Sequence, residues 1–412
     1  MNKVVSTVAL ASAVLLGSTT VQAADVEVIH WWTSGGEQAA VSVFAREFDA
    51  GGDNWVDTAI AGGENARSAT LQRILGGDPP GAAQFNPGRQ YEELISGGML
   101  LDLTPLAEEE NWAKIIRPAS ISEACLVDGH WWCVPVNIHS WNWAWASIPA
   151  FEKAGVELPT SFEDLIAKAP ALQAAGIIPV AMGGETWQIN GAFGVLQTSM
   201  LGIEKRAAIL RDKDLDAAAG PEMTKVFETF RALKQFTDEG SANRNWNDTT
   251  NLVVTDKAGV QIMGDWARGE FAVAGEVAGK DYACLALPID HPTVSTGGDI
   301  FLFPKQSDPE VEAAQLRMAS MMISPRVQAL FNNAKGSMPV RDDVDMSLAD
   351  DCMKRGLDII RDPANIAVDA GRWLSNDTTG QMNDLIGQFW ADDSMSVADA
   401  QAQYVDILSN AD

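Results

Sequence analysis

The chain has 412 residues, 46% of them hydrophobic, with 56 acidic against 29 basic side chains and a formal charge of -27. A surface that acidic repels phosphates and anionic headgroups, which excludes nucleic acid and anionic membranes as partners. The four histidines and four cysteines show no metal-ligand spacing, so no zinc site, catalytic histidine cluster or cofactor is expected.

Residues 1–23 carry one cation at Lys3, an apolar stretch over 4–16 and Val21-Gln22-Ala23 as a small-residue cleavage site, the pattern of a secretory signal peptide. No cysteine follows that site, so no lipid anchor is expected, and no later run reaches the roughly 18 apolar residues of a spanning helix. The mature chain is therefore expected to be soluble and periplasmic. Its length of about 390 residues exceeds what one core usually supports, so two domains are expected.

In chain order, residues 25–30 alternate as a strand, with Val26, Val28 and His30 on one face. The strand must stop by Gly35-Gly36, read as a turn with positive φ, and it delivers Trp31 and Trp32 to a strand end, where open α/β sheets bind ligands. A helix follows over 37–49 with Ala40, Val41, Phe44 and Phe48 on one stripe. Then come a strand at 55–60, a helix at 66–75 and a strand at 82–85, and this order implies a mostly parallel sheet with helices on both faces.

Helices are expected at 91–96 and 104–111, and a hairpin over 124–136 turns at Asp128-Gly129. The apolar segment 134–145 reads as a hinge. Beyond it lie helices at 148–154, 161–175, 192–202, 224–237 and 251–258, with strands at 180–182 and 260–263. Thr160 or Ser161 caps the helix that Glu163 and Asp164 begin.

The four cysteines allow three pairings. The hairpin favours Cys125 with Cys133, which leaves Cys284 with Cys352 by elimination, although a strict two-residue turn would set Cys125 opposite Trp132.

Several ordered motifs carry a family resemblance: His30-Trp-Trp-Thr-Ser-Gly-Gly-Glu37, Val134-Pro-Val-Asn-Ile-His139, Phe151-Glu-Lys-Ala-Gly155, Gly183-Gly-Glu-Thr-Trp-Gln188, the run from Lys257 to Phe271, and Asn333-Ala-Lys-Gly-Ser-Met-Pro-Val-Arg341. The chain resembles the periplasmic carbohydrate-binding proteins of ABC importers, in the family-1 extracellular solute-binding group, nearest the glucose/mannose type. The resemblance implies two α/β lobes joined by hinge strands, with sugar in the interlobe cleft and the lobes closing around it. The lobes are expected to be discontinuous: 24–137 with 289–328, and 138–288 with 329–412. The partners it implies are a sugar and the membrane permease subunits of the importer, served by a monomeric binder.

A hexose presents apolar C–H faces and a ring of hydroxyls, so its binder needs flat aromatics and planar polar groups. Among 14 tryptophans, Trp31, Trp32, Trp187 and Trp266 are placed in the cleft, while Trp131, Trp132, Trp141, Trp143 and Trp145 are read as packing. The resemblance makes Glu37 and Asp299 hydroxyl acceptors, and Lys335, before Gly336, could donate to hydroxyls or to a carboxylate across the cleft. Arg341 either reaches the ligand or holds a loop.

Asn86 stands where similar glucose binders carry a lysine, and Arg372 or Trp373 where they tend to carry a histidine. Arg372 could favour an acidic sugar by pairing with its carboxylate, or lie at the surface. The competing class is a secreted glycosidase, whose acid and nucleophile must sit roughly 5 to 9.5 Å apart and could be drawn from Glu37, Asp265 and Asp299. A structural or adhesive protein would show repeats, and none is present.

Overall fold

The computed structural model describes residues 23–411, so the expected export signal up to Gln22 lies outside the described residues. The strands in chain order are β1 (Asp25–His30), β2 (Asn54–Ala59), β3 (Ala82–Phe85), β4 (Leu126–Val127), β5 (His130–Trp131), β6 (Cys133–Pro135), β7 (Trp143–Ser147), β8 (Ile178–Ala181), β9 (Ala258–Ile262), β10 (Tyr282–Ala286), β11 (Val294–Ser295), β12 (Ile300–Leu302) and β13 (Ile366–Ala367). They build a five-stranded sheet, β2-β1-β3-β12-β6, and a four-stranded sheet, β10-β7-β9-β8. β1 pairs in parallel with β2 and β3, because each connection passes through a crossover helix. β12 enters antiparallel to both β3 and β6.

The helix Gly35–Ala50 begins at Ser34, whose Oγ accepts from the Glu37 N–H at 3.3 Å while Glu37 Oε2 accepts from the Ser34 N–H at 3.2 Å, a reciprocal cap. Gly35 and Gly36 lie inside this helix without positive φ, so the expected left-handed turn is absent. Close approach explains Gly36 instead: a Cβ there would stand 2.7 Å from the Gly269 carbonyl carbon. The stripe Ala40, Val41, Phe44 and Phe48 is buried as its spacing predicts, and Phe44 stacks on Phe331 of the helix Pro325–Lys335 at 4.1 Å. A lobe boundary at 328/329 would cut that helix in two, although it packs on Gly35–Ala50 along its length.

Around the second sheet, β7 alternates. Trp143 and Trp145 enter one core, and Ala144 and Ala146 the other, which holds Phe193, Phe227, Phe230, Phe389 and Tyr404. The expected helix at 251–258 spans Trp246–Val254 instead, and Ala258 opens β9. Ser161, not Thr160, caps Phe162–Ala174.

The expected hairpin over 124–136 is shorter. The helix Ala119–Cys125 precedes it, β4 and β5 pair across Asp128-Gly129, and β6 leaves for the first sheet. The Trp132 N–H does meet the Cys125 carbonyl at 3.0 Å, yet the bend beyond it brings Cys125 and Cys133 into a disulfide, and Cys284 bonds Cys352.

Among the described residues the chain passes between the two sheets over 136–142, from β6 to β7, and over 287–299, from β10 to β12, and residues 336–340 run beside them. These passages are tied side by side by the bridges Ile138–Met338 and His139–Gly297. Among the described residues no helix is long and apolar enough to cross a membrane.

Candidate binding site

The site grows from strand ends and passages that face one another. At the end of β1 the Trp31 N–H donates to Gln84 Oε1 of β3 at 3.0 Å, and Gln84 Nε2 donates to Asp299 Oδ1 at 2.7 Å. Asp299, just before β12, is held further by Asn137: its N–H donates to Asn137 Oδ1 at 2.6 Å, and its Oδ2 accepts from Asn137 Nδ2 at 2.8 Å.

His139 Nε2 lies 3.0 Å from Asp299 Oδ2, and Nδ1 lies 2.5 Å from Oδ1 of Asp265, which follows β9 of the second sheet. Lys335 ends its helix with Nζ 3.7 Å from Glu37 Oε1, beyond hydrogen-bond length. All seven polar side chains of this array are buried.

Charge is managed inside the array. Burial alone would raise the Asp299 carboxyl, but the hydrogen bond and charge of His139, then Lys335 and Asn137, hold it down at about 2. For His139, burial and Lys335 oppose the charged form, and the Asp265 and Asp299 carboxylates outweigh them to raise the imidazole. Glu37 is raised chiefly by burial, which Lys335 and the Ser34 and Thr33 N–H groups offset in part.

Aromatic surface adjoins the array. Trp266 sits edge-on to His139 at 5.0 Å and to Trp141 at 4.8 Å, and Trp141 meets Trp187 at 5.8 Å. On the opposite flank the Arg67 guanidinium lies 5.6 Å over the Trp31 ring and donates to Asn86 Oδ1 at 3.2 Å. Asn86 Nδ2 in turn reaches the Gly298 carbonyl at 3.3 Å.

Of the residues expected at the ligand, the structure gathers Glu37, Asp299 and Lys335, with Trp31, Asn86, Trp266 and Trp187 around them. Three are not gathered. Trp32 is 1% exposed, packed among Phe44, Phe301 and Phe331, so it backs Lys335 from the core. Arg341 pairs with Asp343 and donates to the Ile323 carbonyl, which holds a loop. Arg372 donates to the Ser120 carbonyl at 2.7 Å and faces Glu123.

Sequence reasoning missed Gln84, Asn137, His139 and Arg67 as members of the site, considered Asp265 only as an enzyme carboxylate, and assigned Trp141 to packing. The signals available were Gln84 two residues before Asn86 and the polar pair inside Val134-Pro-Val-Asn-Ile-His139. Neither has a periodicity that tells a site from a core.

The sequence matches the family described as bacterial extracellular solute-binding protein over residues 32–329. The chain belongs to that family. A relative in Rhizobium meliloti (strain 1021), named a probable sugar-binding periplasmic protein, is 38% identical over 359 residues, covering 87% of this chain and 86% of its own length. The xylose/arabinose-binding protein XacG of Haloferax volcanii is 23% identical over 78% of this chain and 71% of its own.

Among solved structures, the bacterial solute receptor AcbH, described as preferring β-D-galactopyranose exclusively, superposes with a TM-score of 0.78 at 18% identity, over 93% of this chain and 98% of that one. The GacH receptor of Streptomyces glaucescens gives 0.73 at 17% identity, over 94% and 99%. This solute-binding protein thus has the two-lobe α/β fold of those receptors.

Proposed function

We propose that this solute-binding protein captures a neutral sugar in the periplasm, in a cleft between its lobes, and presents it to the membrane permease of an ABC importer. The observation that carries this reading is the gap between Lys335 and Glu37. A buried ammonium and carboxylate stand 3.7 Å apart, where a hydroxyl oxygen could accept from one and donate to the other. Asp299, Gln84 and Asn86 extend the polar rim, and Trp31 and Trp266 offer flat faces for C–H groups.

The array already sets the carboxylates Glu37, Asp265 and Asp299 against the one ammonium of Lys335, and Arg372 is engaged with Ser120, so a uronic acid would add a further negative charge to a site already rich in carboxylates. The relatives named as sugar-binding periplasmic proteins support both the ligand class and the compartment. Every polar group of the array is buried, so a ligand enters when the lobes part and is enclosed when they meet. The lobe division we propose is 24–137 with 289–335 for the first lobe and 138–288 with 336–412 for the second, moved so that the helix Pro325–Lys335 stays whole.

A thermal-shift screen of the ligand-stripped mature protein tests this. A sugar at 100 times its Kd adds about 2.7 kcal/mol and a visible rise in Tm. Shifts with neutral hexoses or pentoses are expected; a response confined to uronic acids would overturn the neutral ligand, and none with any carbohydrate would overturn sugar binding.

The glycosidase reading has one point in its favour: Glu37 is raised and Asp299 lowered, the split that an acid and nucleophile require. Against it, Glu37 Oε2 is spent on the Thr33 and Ser34 N–H groups. Chromogenic glycosides should show no turnover.

A further inference from the structure

We propose that His139 is a positioning residue of the binding site and carries a proton on both ring nitrogens when the lobes are together, tying Asp299 beside the first sheet to Asp265 beside the second, so that closure takes up a proton. The inference rests on the binding function proposed above and adds a proton that ligand affinity must feel.

The geometry is the argument. Nδ1 stands 2.5 Å from Asp265 Oδ1 and Nε2 3.0 Å from Asp299 Oδ2. A carboxylate oxygen only accepts, so each short contact requires an N–H on the ring, and a neutral imidazole has one. Asn137 does not relieve this. One N–H of its Nδ2 goes to Asp299 Oδ2 at 2.8 Å and the other faces His139 Nε2 at 3.1 Å, and a bare Nε2 that accepted from it would still hold its lone pair 3.0 Å from Asp299 Oδ2.

Asp265 is held from its other side by the Ser140 N–H at 3.1 Å, so it cannot swing away freely. The charged groups facing the ring are Asp265 from the turn after β9, Asp299 from the turn before β12, and Lys335 from the end of its helix, with Glu37 beyond Lys335. Two carboxylates in contact with the ring against one ammonium favour the imidazolium, in line with the upward shift of this group. Trp266 covers the ring edge-on at 5.0 Å.

The position matters as much as the partners. The His139 N–H donates to the Gly297 carbonyl at 3.0 Å, which sets the ring on the passage between the sheets. Rotation of one lobe against the other separates it from Asp265 or Asp299. Released, the ring returns toward the ordinary value of about 6.5. Above that pH closure must bind a proton, so affinity falls as pH rises, by up to about tenfold per unit. Below it the ring is protonated in both states and contributes no slope.

The test is calorimetric Kd of the wild-type mature protein across pH 5.5–8.5 with the sugar found by the thermal screen. It is paired with 15N NMR of the ring nitrogens, which is tractable because the chain has four histidines. Affinity that weakens above about pH 6.5, with an imidazolium at pH 7 in the complex, is expected. H139Q should lose the slope, and D265N, which keeps the ring but removes one acceptor charge, should move it to lower pH.

A flat wild-type profile, or a neutral ring in the complex at pH 7, overturns the proposal. If no carbohydrate binds, the function proposed above falls and this proposal with it, whereas a flat profile with a sugar that does bind overturns this proposal alone.

Discussion

Trp32→Ala separates a core tryptophan from one that touches ligand. Its ring lies 5.3 Å from Phe331, 5.7 Å from Phe301 and 6.3 Å from Phe44, and the residue is 1% exposed. Truncating a buried tryptophan costs about 3 to 5 kcal/mol, because transfer energy is lost and the walls close over the cavity incompletely. Three lost aromatic neighbours, each worth about 0.5 to 1.5 kcal/mol beyond area, put this site toward the upper end. That is a large share of a typical stability of about 5 to 15 kcal/mol.

Urea melts followed by far-UV circular dichroism read the loss as a lower midpoint at unchanged slope. Trp32→Phe, which keeps a ring among the three phenylalanines, should recover much of it. An unchanged midpoint in Trp32→Ala, with sugar affinity weakened by about 1 to 3 kcal/mol, would refute the reasoning and put the indole against the ligand.

Lys335→Met should weaken sugar binding by about 10- to 100-fold in calorimetry, since a charged donor is lost and Glu37 remains buried without its counter-charge. Arg341→Ala should leave affinity unchanged, because its guanidinium is spent on Asp343 and Ile323. Replacing both cysteines of the Cys284–Cys352 bridge by serine, at a sequence separation of 68, should cost about 4 kcal/mol by the chain-entropy estimate, against about 2.5 kcal/mol for Cys125–Cys133 at a separation of 8. Thermal melts of the two variants should therefore rank in that order.

The Asp299 carboxyl is held at about 2 against an ordinary 3.8, so its ionised form contributes about 2 kcal/mol that is complete above pH 3.8 and lost as pH falls through about 2. Asp299→Asn should remove that part of the acid transition. Glu37, raised by burial, acts in the opposite sense: its contribution is complete below pH 4.5 and lost as pH rises.

Much of the first lobe was legible because its elements have clean local signals. β1 alternates, and the helix after it carries four apolar residues on one stripe. The C-terminal helices Asn376–Ala391 and Val397–Ser409 went unread, since Phe389 and Tyr404 find their place only against Phe227 of a distant helix. Gly36 shows the same limit. A turn is the local reason for a glycine, but the contact that requires it comes from Gly269, far along the chain.

For the site, an inventory could be read along the chain: an acid after a strand end at Glu37, an acid before a strand at Asp299, a lysine before a glycine at Lys335, and indoles beside turns. These are chemical types at local positions, which order along the chain records. Their partners came from packing. It set Lys335 opposite Glu37 and Asp265 opposite Asp299 through His139, and it withdrew Trp32, Arg341 and Arg372 from the array. The physical reason is that a side chain's role follows from its burial and from the charges within a few ångströms, and those neighbours come from passages that meet only when the two sheets are built.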